Sequence, residues 1–471
     1  MIRHIDTILI AFRGCFSRPA AFAWFVVIII GFLVRADHDG VSSIIRWMCL
    51  PPECYDPMLR FFRASSWQLE HLLATWTKWA VNHYPMIEFE GRSLLIGDGI
   101  KVTKEAHKMP GVKSLHQDSE NSGKSPYMRG HHFGFVGLLI GSLTKAFCLP
   151  LRGELHEGME VLRPTEGLPG KPATLVTRMA HLFVQAAKHT GRCCYATVDA
   201  YFAVGPMFLI LQGAVNETGE RWVHLITRAK DNTVAYLDPD AENPYADKHK
   251  VHLMEIFDHP HLFTQAKLTL YGQVQTISYC CVDLLWKPIQ GLLRFVLVRD
   301  GQACYILMSS DVSLSATTII TIYSYRAKIE VMFLFLKHLL GGFCYHFRSK
   351  ALSKLKRGQK RDYTTLSKPQ KQQALATCEA IERFVNLAAM ALGILQYLSL
   401  SATSEIWQGY HGWLRTYSSA VPSEQVVRTV VQTEFFDSLD KVPCCRTLQL
   451  IQEKRRNRLL AVPAGRQEDV A

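Results

Sequence analysis

Apolar positions along this chain follow two rhythms, and the change from one to the other divides it. Up to about Tyr84 the spacing is helical and rich in aromatic residues. The run from Ala20 to Val34, AAFAWFVVIIIGFLV, is apolar on every side and predicts a buried helix. Its fifteen residues between Pro19 and Arg35 fall short of the roughly 18 that a membrane span needs. Arg35, Ala36 and Asp37 also stand where a signal peptide would carry small cleavage-site residues. Further on, GVSSIIRWMCLPPECYDPMLRFFRAS predicts a helix, a break at Pro51-Pro52 and a second amphipathic helix with Arg60 and Arg63. DNA readers share that arrangement with many helical hairpins that never meet DNA.

From Glu88 the rhythm becomes that of strands. RSLLIGDGIKV predicts a short strand ending in Asp98, and a long polar loop follows. HHFGFVGLLIGS and TKAFCLPLRGEL are two more strands, then a helix runs from about Pro172 to Thr190. CCYATVDAYFA predicts a fourth strand, ending in Asp199, before a helix from Val204 to Val215 and the strand WVHLITRAK. This order resembles a ribonuclease H-like α/β fold, a mixed sheet with helices on both faces. Its first and fourth strands lie side by side, which would make Asp98 and Asp199 neighbours. Between Ala235 and Thr317 further strand-like pieces predict a mostly β insertion.

The fold then lacks only its closing helix, and YSYRAKIEVMFLFLK supplies it. On an ideal helix Tyr323, Arg326, Glu330 and Lys337 share a stripe roughly 60° wide. Apolar residues cover the rest, with only Leu334 intruding on the stripe. The oily faces would dock on the sheet and present Glu330 to the two aspartates. A surface helix with an ordinary i, i+4 pair between Arg326 and Glu330 has the same local pattern, so the other two acids decide the matter.

Charge bears on the partner. The 53 Lys and Arg against 41 Asp and Glu leave a surplus of 12 positive charges and a pI near 9.0, which suits a polyanion such as nucleic acid. The 13 cysteines include no CxxC pair, fit small buried hydrophobes and point to a reducing cytoplasm. His131 and His132 are adjacent in a strand, so their side chains face opposite ways and do not ligate one metal together.

Three carboxylates on such a sheet suit phosphodiester chemistry. Two Mg²⁺ ions about 4 Å apart activate the attacking oxygen and stabilise the leaving one, and hard ions of this kind take oxygen ligands. The spacing Tyr-x2-Arg-x3-Glu-x6-Lys, met by Tyr323, Arg326, Glu330 and Lys337, resembles the signature of bacterial insertion-sequence transposases with a DDE active site. LLIGDGIKVTKEAHKMPGVKSLHQDSENSGK and IEVMFLFLKHLLGGFCYHFRSK are similar to one subgroup of that family.

The resemblance implies a cut-and-paste DNA transposase acting through two-metal hydrolysis, hairpin formation and strand transfer. Asp98, Asp199 and Glu330 would hold two Mg²⁺, with Mn²⁺ able to substitute. Tyr323, Arg326 and Lys337 would grip phosphates near the cleaved end. In hairpin-forming relatives the insertion also supplies an aromatic residue that traps a flipped base, and Trp286 is the candidate here, with a buried core tryptophan as the other reading. The partners implied are double-stranded DNA, as terminal inverted repeats and target, and a second copy in a homodimer, with no membrane. A nuclease on the same scaffold and a non-catalytic DNA-binding transposon relic are the other readings.

The expected division is an N-terminal helical DNA-binding region at 1–87 and a catalytic core at 88–234. The β insertion follows at 235–317, the closing helix at 318–347, and a basic linker with a helical region at 348–471. Nine Lys or Arg against one Asp between Arg348 and Lys371 suit a phosphate backbone. A helix is expected from Gln372 to Leu400.

Overall fold

The computed structural model describes residues 1–104, 107–116, 125–156, 158–237, 244–355, 359–414 and 420–460, the last five without side chains. Lys356 and Arg357 of the basic run and the end of the tail lie outside the described residues. The chain divides into two compact units, one of residues 77–103 and 113–332, the other of 1–76, 104–112 and 333–471.

The first unit is built on one sheet of 13 strands among the described residues. They are β1 (Glu88–Phe89), β2 (Arg92–Thr103), β3 (Lys113–His116), β4 (Tyr127–Gly141), β5 (Ala146–Leu155), β6 (Cys194–Val198) and β7 (Val223–Arg228). Then come β8 (Val234–Tyr236), β9 (Lys250–His252), β10 (Thr264–Leu270), β11 (Gln273–Trp286), β12 (Gly291–Asp300) and β13 (Ala303–Ser309). β5 pairs with β4, β4 with β2, and β2 runs parallel to β6, which runs parallel to β7. That is the ribonuclease H-like strand order, and the fold is the one expected. β13 pairs antiparallel with β7, and β12, β11, β8 and β9 follow, so the insertion strands continue the same hydrogen-bond ladder.

Two helices of this unit fix the site's frame. Leu175–Thr190 starts at a Thr174 capping box, ends at Gly191 in a left-handed conformation, and packs on β2, β4 and β5. Its Phe183 lies so close to β2 that a Cβ at position 97 would come within 2.3 Å of the ring. On the other side of Asp98, a Cβ at position 99 would lie 2.4 Å from Nε2 of His132. Glycine therefore flanks Asp98 on both sides for want of space. The helix Gly205–Gly213 packs on Leu175–Thr190 and β7.

The second unit is helical. Pro19–Val34 is buried from Ala21 to Val34 and packs against Gly40–Trp47, Lys368–Ser401, Glu424–Ser438 and Arg446–Leu460, as its uniform apolarity predicts. Lys368–Ser401 is long and apolar enough to cross a membrane, but 83% of its most apolar window is buried within the protein. The helices Gly40–Trp47 and Tyr55–Phe61 are separated by a 3₁₀ turn at Pro52–Cys54, as the paired prolines require. Two buried arginines complete helix ends here. Arg35 donates to Gly40 O at 2.7 Å, Leu340 O at 2.7 Å and Gly341 O at 3.1 Å, and Arg428 to Leu33 O at 3.2 Å and Leu339 O at 2.7 Å. Burial lowers both guanidinium pKa values to about 10, so both remain charged, and all their acceptors except Gly40 O lie at the C-terminal, negative end of a helical segment.

The predicted closing helix is not uniform. It starts earlier, at Ala316, capped by Ser315, and runs as α-helix to Ser324, a 3₁₀ turn at Tyr325–Ala327, α-helix at Lys328–Leu334 and a π turn at Phe335–Leu339. Tyr325 anchors the 3₁₀ turn, its hydroxyl donating to Leu143 O at 2.9 Å. β3, within the stretch expected to be loop, is an addition to the predicted elements, and the helices after Ser401 fall within the helical region expected at 348–471.

Candidate active site

Asp98 does not end its strand, as expected, but lies within β2, which continues along β4 to Thr103. Its parallel pairing with β6 stops at Ile96↔Thr197. Asp98 and Asp199 therefore follow the point where two neighbouring strands part, where strand carbonyl ends of an α/β sheet open a crevice. Asp199 caps the 3₁₀ turn Ala200–Phe202, its Oδ1 accepting from Tyr201 N at 3.0 Å. The buried Thr227 hydroxyl donates to the carbonyls of Val198 at 3.1 Å and Asp199 at 2.9 Å, fixing the backbone there. Asp98 Oδ1 accepts from Gly99 N at 2.7 Å, leaving Oδ2 to face outward from the strand.

One guanidinium gathers the three acids. Arg326 Nη2 lies 3.0 Å from Asp98 Oδ2 and 3.9 Å from Asp199 Oδ2, while Nη1 lies 2.7 Å from Glu330 Oε1. Exposure rises from 16% at Asp98 through 37% at Asp199 to 57% at Glu330, so the cluster opens to solvent on the Glu330 side. Burial pushes the Asp98 carboxyl up to about 6, with Asp199 and Glu330 adding to the rise and Arg326 opposing it. Burial would lower the Arg326 pKa, but the three carboxylates outweigh it and hold it above its ordinary value. Arg326 Nε is buried without a hydrogen-bond partner among the described residues.

The donor set suits divalent cations: three carboxylates converge on a positive centre, and the most buried of them is made reluctant to ionise by burial first and by its two acidic neighbours second. Among the described residues no group of three or more His, Cys, Asp and Glu is already arrayed as a metal cage. Arg326 is the cation that holds these acids together.

Tyr323 joins the cluster. Burial raises its phenol pKa, while the charges of Arg326 and Arg228 lower it and that of Asp199 raises it. Lys337 falls in the π turn and belongs to the other unit. Trp286 takes the second of its two readings, that of a core residue. It ends β11 at 7% exposure, edge-on to Phe208 with ring centroids 5.3 Å apart, so it has no open face on which a base could stack.

Sequence reasoning missed the tip of the β10–β11 hairpin. Leu270↔Gln273 is the last pair, leaving Tyr271-Gly272 as a two-residue turn with φ of +52° and +79°. Such turns favour Asn-Gly, and a bulky residue at positive φ is strained. Tyr271 is 69% exposed, and its phenol pKa is raised by partial burial first and by Asp300 second, with Arg326 opposing. Tyr305, beside it, packs under Arg228 at 5.8 Å and senses Tyr323. Alternating residues around a two-residue turn with glycine were the signal available for this hairpin.

A ribonuclease H-like sheet with acids at its strand-parting point and on its closing helix defines the class: nucleic-acid-processing enzymes of ribonuclease H-like fold. Residues 11–279 match the family model described as DDE superfamily endonuclease. The match spans more than half of the chain, which belongs to that family. Asp98 and Asp199 lie inside the matched region, Glu330 beyond it. No curated protein matches the chain.

Proposed function

We propose that this endonuclease-family chain is a transposase, which cuts DNA at the ends of a mobile element and joins the freed end to a target. The observation that carries the reading is the convergence of Asp98, Asp199 and Glu330, from three remote segments, on one guanidinium within 3.9 Å. These three would hold two Mg²⁺ or Mn²⁺ ions, whose chemistry is to activate the attacking oxygen and stabilise the departing one. Arg326 keeps the acids clustered, and its fork is suited to a phosphate. Tyr323, beside it, can donate to the same phosphate. Lys337 stays a proposed phosphate contact on its motif position.

The role that the resemblance gives to an aromatic of the insertion is better met by Tyr271, an exposed ring at a strained tip within the field of Arg326. Tyr271→Ala is expected to preserve stability while reducing hairpin formation about tenfold, as loss of one stacked base would. Trp286→Ala should instead destabilise the fold by about 3 kcal/mol. Thermal melts and gel assays of hairpin product on both variants separate the two roles, and an unaffected Tyr271→Ala would remove Tyr271 from the site.

Joining distinguishes a transposase from an endonuclease that only cuts. With Mg²⁺, a duplex ending in a free 3′-hydroxyl at the element's terminus is expected to become covalently linked to plasmid target. Cleavage without any joined product would reduce the reading to endonuclease. Terminal repeats, a homodimer on paired ends and a cytoplasmic setting complete the proposal.

A further inference from the structure

The acids have a second neighbour that the reaction described above leaves unused. A cleft of about 610 Å³ runs from Asp98 and Asp199 past Lys101 and His132 to Lys113 and His116, with Tyr201 beside it. The strand order β3-β4-β2-β6 sets it on the side of the acids away from β7 and the insertion. Its size is that of a pocket for small ligands, far too small for a duplex.

We propose that this cleft seats one unpaired DNA strand next to the cleaved phosphate, deepening the DNA reading above, on which it rests. Lys101 and Lys113 supply the charge for the backbone. Lys101 Nζ donates to His116 O at 2.6 Å and Lys113 Nζ pairs with Glu160 at 3.1 Å, so both ammonium groups are held in place while remaining exposed in part. Tyr201, 55% exposed, offers a flat ring beside Asp199. A basic groove with an aromatic platform is the combination that holds single strands without sequence preference.

The floor is built for close approach. Gly99 lets the His132 ring lie against β2 one residue beyond Asp98, since a Cβ there would lie 2.4 Å from Nε2. His132 is 8% exposed, and its Nδ1 has no hydrogen-bond partner among the described residues. With that nitrogen enclosed, the ring serves as part of the cleft wall. The acids at one end and lysines at the other place a strand's reacting phosphate at the acids and its neighbours at the cations.

The test uses the full chain without divalent ions and a fluorescein-labelled 20-nucleotide oligo-dT, with affinity read by anisotropy across a salt series. The variant Lys101→Ala/Lys113→Ala is expected to bind about tenfold more weakly at 0.1 M salt, with the log–log salt slope reduced by about 1.4, the value for two single-strand phosphates. Ser114→Asp, which adds a negative charge on exposed β3 and removes no contact, should weaken binding in the same direction. Lys188→Ala/Lys248→Ala removes equal charge elsewhere in the same unit and should change affinity less than twofold. Cleft variants that behave like this control would overturn the proposal, as would a wild type that binds and cuts duplex but ignores oligo-dT. A wild type that neither binds nor cuts any DNA would overturn the underlying reading as well.

Discussion

Glu330→Gln is expected to leave the protein folded and bound to DNA while lowering cleavage and joining by at least about 10²-fold, beyond the loss of an outer-shell partner at a metal site. The substitution keeps the shape and removes one negative charge. Glu330 is 57% exposed, and its pair with Arg326 lies on the surface within one helical turn, so the stability cost should be small. Asp98→Asn and Asp199→Asn should lose activity to a similar degree, since two ions held as proposed by three carboxylates would leave none to spare. Cleavage rates on labelled duplex, with anisotropy for binding, make the comparison. Cleavage by Glu330→Gln at the wild-type rate would end the catalytic assignment of that residue.

Arg326→Ala is expected to have the second largest effect, and on stability before activity. Without divalent ions it leaves three carboxylates facing one another, the most buried of them, Asp98, already raised to about 6. Loss of Arg326, which lowers this value more than the Gly99 amide does, raises it further. A carboxyl whose pKa is higher folded than unfolded binds its proton more readily in the folded state, so stability falls as pH rises through that window. The deficit of the variant should therefore be greatest above about pH 6 and shrink towards pH 4. An order-of-magnitude cost of 1–3 kcal/mol near pH 7.5 corresponds to several degrees in thermal melts. Mg²⁺ or Mn²⁺ should restore more stability to the variant than to the wild type, because ions that bind the folded acids shift the equilibrium by mass action. A melt that ignores both pH and divalent ions would argue that these acids hold no cation.

The frame of the site was legible because its signals are local. Asp98 and Asp199 each follow a run of apolar residues, and Glu330 sits on a helix whose oily faces announce burial. Their neighbourhood in space follows from the strand order, which the order of elements implies. Other features depend on tertiary context. β3 is four residues long and polar, without the alternation that marks a strand. The closing helix shifts from α to 3₁₀ to π, so angles taken from an ideal helix do not describe how Arg326 and Glu330 face the sheet. Arg326 looked like a phosphate contact, but within the protein its partners are the acids themselves. Trp286 was chosen for ring size, and ring size says nothing of exposure.

The three acids belong to β2, to the turn after β6 and to a helix that follows the whole insertion. During synthesis the chain therefore carries two of its three acids for more than a hundred codons before the third is made. A ribosome-bound fragment halted within the insertion lacks the donor that closes the set, however well its early strands have paired. On the proposed catalytic assignment, a chain halted there would be unable to cut DNA, and competence would arrive only when the last helix docks.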